Sequence, residues 1–371
     1  MPQDPSTTSP SPSATAALSA AAADPAGLDD PHYVALLGAA GEDLEALCAL
    51  ADALRRDVVG DTLTYVVNRN LDTGVVGAAT AQARELTVAL VEEAVSLGAT
   101  EVCLQGPLPA GAPADGYLDL VRLITSTAPD LHLHAFRPAE VADAAQRRGS
   151  TPREFLLAAR AAGLGSVPGT AARILDDDVR TVLNGGPDLP AARWVELIAT
   201  AHEAGLTSTA TMVYGSVETP AQQVAHLRTL AALQDRTGGF TEFIPMPFVP
   251  GVNGVLPDGP LPAGARRGPG ARESRALHAV ARLLLHGRID HVQAAWTKLG
   301  LELSAQVLAG GADDAGGLLL DGRLQPSAGA EAGRVLAVAD VQRLAAGLGR
   351  AVRQRTTRYG DVPPGRLAVR A

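Results

Sequence analysis

The sequence predicts an α/β protein, a TIM-type (βα)8 barrel, and three observations carry the prediction. Short apolar, β-branched runs alternate with longer helical patterns along most of the 371 residues, as in repeated strand-helix units of a parallel sheet. The runs number eight, the count at which such units close into a barrel. Hydrophobic residues make up 46% of the chain, ample for one large core, so a single barrel domain over residues 31–371 is expected.

Taken in order, residues 1–30 are rich in Ala, Ser and Pro, carry acids and lack a basic start. They read as a disordered tail rather than a secretory signal. Strands are expected at 62–70, 100–106, 131–136, 164–169, 208–215, 241–248, 291–299 and 312–320. Helices are expected at 86–97, 139–145, 152–162, 191–204, 220–235, 272–285 and 338–348. Thr151-Pro152-Arg153-Glu154 has the form of a helix start, with a Thr cap, Pro in the first turn and Glu three residues on. Gly163 and Gly205 follow helices, where left-handed C-caps favour glycine.

Charge narrows the function. The formal net charge is -9 and the pI about 5.4, with no basic run, so nothing attracts a phosphate backbone or an anionic membrane. No uninterrupted apolar stretch reaches the roughly 18 residues that a spanning helix needs. A cytoplasmic protein that binds neither nucleic acid nor membrane is expected. The two cysteines, Cys48 and Cys103, sit in a helical and a strand pattern and read as small buried hydrophobes.

In a barrel the working groups lie at the carboxyl ends of the strands. The polar residues there are Asn68, Asn70, Gln105, His132, His134, Ser166, Thr170, Thr211, Tyr214, Glu242, Gln293, Trp296, Lys298 and Asp314. Any one could cap a loop, but so many in succession point to a shared pocket for a small molecule. His132 and His134 lack a third metal ligand nearby, and backbone bonding is the better reading. Glycines and Pro168 between Gly165 and Thr170 serve a turn or an anion equally well. Glu242, flanked by apolar residues, needs a partner; Lys298, the only lysine in a chain with 31 basic residues, and Arg173 are the candidates.

The motifs TYVVNRN, ATEVCLQG, HLHAF, AGLGSVPGTAA, TATMVYG, TGGFTEF, QAAWTKLG and RQRTTRYG occur in that order. Together they resemble the tyrosine-using subunit or half of FO synthase, the CofH family of radical S-adenosylmethionine (SAM) enzymes, from about residue 44 to 360. The resemblance implies a radical SAM-like barrel. It also implies chemistry that joins a tyrosine fragment to a ribityl-diaminouracil in coenzyme F-420 biosynthesis, with a four-iron four-sulfur cluster and SAM as cofactors. Carried over by position, the remnant pocket is Gln105, His134, Ser166, Thr170, Thr211, Tyr214, Glu242, Gln293, Trp296, Lys298 and Asp314.

The family's CxxxCxxC loop follows the TYVVNRN-like strand, because three thiolates hold three irons and leave the fourth for SAM. Here the three slots fall on Leu71, Val75 and Ala78, or in another register on Gly74, Ala78 and Ala81. Neither set contains a ligand. Other departures put Arg173 in place of a glutamate, Ser216 in place of a histidine, and Asp321 with Gly322 in place of two glutamates. No cluster and no catalytic residues are therefore expected, and SAM binding is left open. The expected function is a pseudoenzyme with a binding or regulatory role, partnered by a pathway enzyme. The alternatives are a non-radical enzyme on the same pocket and a genuine FO synthase-type transferase.

Overall fold

A computed structural model describes residues 12–77, 79–250, 261, 264–320 and 334–367. β1 (Thr62–Val66) and β2 (Asn68–Asp72) form one extended segment interrupted at Val67. There follow β3 (Glu101–Gln105), β4 (His132–Ala135), β5 (Ser166–Val167), β6 (Thr207–Tyr214), β7 (Phe240–Pro247), β8 (Asp314–Gly317) and β9 (Ala351–Arg355). One parallel sheet runs β2-β3-β4-β5-β6-β7 and a second runs β8-β1-β9. Single parallel bridges, Phe243 to Val292 and Gln293 to Asp314, join β7 to β8. Thr64 pairs with Asp314 and Val66 with Gly317, so hydrogen bonding returns to the first strand. The result is the expected TIM-type, radical SAM-like barrel.

Period-two alternation divides each strand between barrel interior and helical shell. On β2, Asn68 and Asn70 face the cavity, while Arg69 is fully buried on the other side and bonds Glu93 at 2.7 Å. Outward Leu71, Val102, Leu133 and Ala135 are buried against a shell that includes helices Ala81–Ser96, Gly116–Thr127, Pro138–Arg148, Pro152–Ala161 and Ala191–Glu203. Burying one such Leu or Val contributes about 1.5–3 kcal/mol. The Thr151 capping box forms as expected: Thr151 accepts from the Glu154 amide and the Glu154 side chain accepts from the Thr151 amide. Gly163 and Gly205 adopt φ of 108° and 81°.

Three expectations are corrected. Residues 1–30 are not a disordered tail throughout, because Ala14–Ala23 is a helix capped by Ser13, with Ala17 and Ala21 buried. Alanine is the strongest helix former, and its small side chain lets this helix pack on Asp30–Leu37 and Gly41–Val59. The span 291–299 is not a strand: only Val292 and Gln293 bridge, and helix Trp296–Leu308 begins at once, kinked at Gly300 where φ is 71°. β9 was not expected. It pairs parallel to β1 from Thr62↔Ala351 to Val66↔Arg355 and closes the amino-terminal end of the barrel.

Candidate functional site

The barrel encloses a cavity of about 160 Å³. Its wall is built from inward-facing positions: Asn68 and Asn70 of β2, Glu101, Cys103 and Gln105 of β3, His134 of β4, Thr209 of β6, and Glu242, Ile244 and Met246 of β7. Gln293, Trp296, Thr297 and Lys298 come from the segment between β7 and β8, and Arg355 and Thr357 from β9 and the turn after it. Glycine is required where the wall is thinnest. A Cβ on Gly317 would lie 2.2 Å from Asn68 Oδ1, and one on Gly316 2.2 Å from Gln293 Nε2. Those close approaches let the two amides lie flat against β8, with Asn68 Oδ1 accepting from the Leu319 amide at 3.1 Å.

Of the eleven expected pocket residues, Gln105, His134, Thr170, Glu242, Gln293, Trp296 and Lys298 line this cavity. Ser166, Thr211, Tyr214 and Asp314 do not. Ser166 is buried directly behind His134, its Oγ 2.6 Å from His134 Nδ1. The Thr211 hydroxyl donates to the Gly169 carbonyl at 2.8 Å, which makes it a turn brace. Tyr214 lies at the far end of β6 with its ring edge-on to His278 of helix Ala271–Leu284, so it belongs to the strand-helix layer. Asp314 lies beneath the cavity, where it accepts from Thr64 Oγ1 at 2.5 Å and from Arg355 Nε and Nη2 at 2.6 and 2.8 Å.

The expected pairing of Glu242 with Lys298 or Arg173 is also corrected. Glu242 Oε2 accepts from Arg355 Nη2 at 3.1 Å and from the Tyr359 hydroxyl at 2.6 Å. Arg173 instead bonds Asn184 and Asp188 on the outer face, and Lys298 sits in the first turn of its helix, at the cavity wall. Arg355 lies 3.9 Å over the Tyr359 ring, and that ring stacks on His291 at 3.4 Å. One guanidinium thus serves two buried carboxylates. Burial pushes the Glu242 carboxyl up to about 7, Arg355 working against the shift and Asp314 reinforcing it.

The loops above the cavity carry backbone strain. Phe136 after β4, Ala171 and Arg173 after β5, and Leu319 after β8 have φ of 69°, 66°, 50° and 51°. Side-chain residues are costly in that region and persist where surrounding structure fixes them. Arg180 supplies part of that fixing by donating to the Ala171 and Ala172 carbonyls at 3.0 and 2.5 Å. Thr170, beside this strained turn, is thereby held at the cavity.

The segment after β2, where the resemblance places the family's cluster loop, is one helical turn, Thr73–Val76, capped by Asp72, whose Oδ1 accepts from the Gly74 amide at 2.7 Å. Leu71 is buried among apolar groups and Val75 is exposed. Cys48 lies in helix Gly41–Val59 and Cys103 on β3; burial pushes both thiols up. Among the described residues, no group of three His, Cys, Asp or Glu side chains is placed to hold a metal ion. Ala78, Asp321 and Gly322 lie outside the described residues, and the Ala78 side chain carries no donor atom. The residues present do not fit an iron-sulfur cluster.

Fold comparison defines the class first: a radical SAM-like TIM-type barrel. The FeFe-hydrogenase maturase HydG from Carboxydothermus hydrogenoformans superposes with a TM-score of 0.64 over 92% of this chain and 80% of its own, at 12% identity. Methylornithine synthase (PylB) gives 0.61 over 90% and 97%, at 16% identity. No protein-family model matches. The sequence is 38% identical, over 88% of this chain and 92% of its own length, to 5-amino-6-(D-ribitylamino)uracil–L-tyrosine 4-hydroxyphenyl transferase of Methanothermobacter thermautotrophicus. It is 48% identical over 93% of the chain to FO synthase of Mycobacterium leprae, of which it spans only 41%. The chain belongs to this transferase family, the CofH family, and corresponds to about two fifths of the length of the FO synthases it matches. No helix among the described residues is long and apolar enough to cross a membrane.

Proposed function

We propose that this chain is a cluster-free member of its family, a pseudoenzyme that binds a small molecule in the barrel cavity and serves the deazaflavin pathway by binding or regulation, alongside a pathway enzyme. The observation that carries this reading is the combination of a helical turn at Thr73–Val76 that offers no thiolate with a barrel cavity whose wall carries polar and charged side chains. Reductive cleavage of SAM needs an electron from the cluster and an open iron, and neither has a donor set here. Gln105, His134, Thr170, Glu242, Gln293, Trp296 and Lys298 are the residues proposed to contact the ligand, joined by Asn68, Asn70, Glu101, Arg355 and Thr357.

A second reading, a working transferase, is favoured by the 38% identity along nearly the full length of the Methanothermobacter enzyme. A third, non-radical acid-base chemistry, is favoured by a Glu242 carboxyl poised near neutrality. Calorimetric titration with L-tyrosine and with 5-amino-6-(D-ribitylamino)uracil, together with thermal melts, separates them. Binding of either compound with a raised melting temperature and no conversion supports the pseudoenzyme; a ligand at 100 times its Kd adds about 2.7 kcal/mol of stability. Product formed with SAM and reductant would favour the transferase, and binding of neither compound would remove the proposed ligand class.

A further inference from the structure

The amino-terminal half of the cavity wall contains a chain of three groups, of which the readings above use only His134. His132 and His134 lie two residues apart on β4 and share its inward face, while Ser166 of β5 pairs in register with His134. The Ser166 hydroxyl sits 2.7 Å from His132 Nε2 and 2.6 Å from His134 Nδ1. His134 lines the cavity, Ser166 is 1% exposed, and His132, at the first position of β4, is partly exposed at the barrel's amino end. The seat of the outer ring is built: a Cβ on Gly165 would lie 2.5–2.8 Å from His132 Cε1, Nδ1 and Nε2, so only glycine lets the imidazole reach Ser166.

A hydroxyl has one proton to give. If Ser166 donates to one imidazole it must accept from the other, so the facing nitrogens are in opposite states when both rings are neutral. Neutrality is enforced by burial, which lowers His132 to about 4 and also lowers His134. The charged groups facing the chain are Glu101 of β3, Arg355 of β9 and Arg358 of the following turn. Glu101 favours the imidazolium on either ring, Arg355 opposes it at His134, and Arg358 opposes it at His132. The Glu101 carboxylate is itself fixed by donation from Thr357 Oγ1 at 2.5 Å and Cys103 Sγ at 3.0 Å.

We propose that His132, Ser166 and His134 form a proton relay that couples the amino-terminal face of the barrel to the cavity, so that a proton taken up at His132 sets which nitrogen of His134 is protonated. Uptake at His132 Nδ1 leaves its Nε2 proton donating to Ser166 Oγ, and the Ser166 hydroxyl turns to His134 Nδ1. In full transfer the His132 Nε2 proton moves to Ser166 Oγ as the Ser166 proton moves to His134 Nδ1. The positive charge passes from His132 to His134, whose Nε2 proton is then available to a base in the cavity. No electrons change hands. The relay is independent of whether the chain is a pseudoenzyme, and it gives the cavity an acid-base group with a defined tautomer.

The test is nitrogen-15 NMR of the full chain labelled at histidine, with the two rings assigned through His132→Gln and His134→Gln. Two-bond proton-nitrogen couplings report each tautomer between pH 8 and pH 4. The relay predicts that only one of the two facing nitrogens carries a proton at pH 7, and that titrating His132 shifts the His134 tautomer toward Nε2-H. Ser166→Ala, which leaves both rings in place, should abolish that linkage, and His132→Gln should remove its pH dependence. Urea unfolding of each variant establishes that the fold is kept. A His134 tautomer that ignores both substitutions, or imidazolium at both rings at pH 7, would overturn the proposal.

Discussion

Arg355→Met is the most informative single change, because Arg355 is 2% exposed and bonded to two carboxylates that are themselves buried. The variant keeps the aliphatic stem and removes two charge-assisted bonds to Asp314, one to Glu242, and the cation-π contact with Tyr359. Stranding a buried charge typically costs about 3–5 kcal/mol. Part of that cost is recovered where Glu242 can take up a proton, so the loss should reach the top of the range at pH 8 and shrink by about 1–2 kcal/mol at pH 5.5, following the linkage between a raised carboxyl pKa and stability. Urea unfolding at both pH values measures it. A cycle with Glu242→Gln should show coupling above about 1 kcal/mol, as expected for residues in one network. A loss below about 1 kcal/mol, or one that is unchanged in the Glu242→Gln background, would refute the view that this guanidinium holds the cavity floor together.

Lys298→Ala should leave Glu242 paired, since that carboxylate accepts from Arg355 and Tyr359; a double-mutant cycle of Lys298→Ala with Glu242→Gln by urea unfolding should give a coupling below about 0.5 kcal/mol, and a coupling of about 1 kcal/mol or more would reinstate the Lys298–Glu242 pairing. Acid should destabilise the fold through its buried histidines. Burial lowers His132, His202 and His278 to about 4 and His226 to about 3, below the unfolded value of about 6.5. Their contribution is therefore complete above pH 6.5 and lost as pH falls toward those values, each by up to about 1.4 kcal/mol per unit. Glu242 acts oppositely, its contribution fading as pH rises from about 4.5 toward 7, but it is one group against these four histidines and His134, which burial also lowers. Unfolding midpoints that stay flat from pH 6.5 to 5 would contradict this balance.

Strand positions were legible because a parallel strand buried on both faces must be apolar, and its helix must carry caps, as at Thr151 and Gly163. The same rule hid β9. Its sequence Ala-Val-Arg-Gln-Arg is polar, since it plugs the barrel's end rather than lying between two apolar layers, and Arg355 is buried only because Asp314 and Glu242 await it. A signal existed: two acids on inward strands with one lysine between them left a charge uncompensated. The stretch around Trp296 misled for the opposite reason, because its apolar residues pack from a helix start whose indole bonds the Gly317 carbonyl at 2.9 Å. Tyr214 shows that a polar residue near a strand's carboxyl end can face the helices, which period two alone does not reveal without knowing the register.

The proposal that this chain binds no iron-sulfur cluster is tested most directly by anaerobic reconstitution with iron and sulfide. Iron and sulfide analysis and electron paramagnetic resonance after reduction would follow. The slots at Leu71, Val75 and Ala78 predict no stoichiometric cluster, with adventitious iron removed by desalting. A reduced four-iron signal approaching one cluster per chain would contradict the account and make the chain a working transferase with ligands drawn from elsewhere.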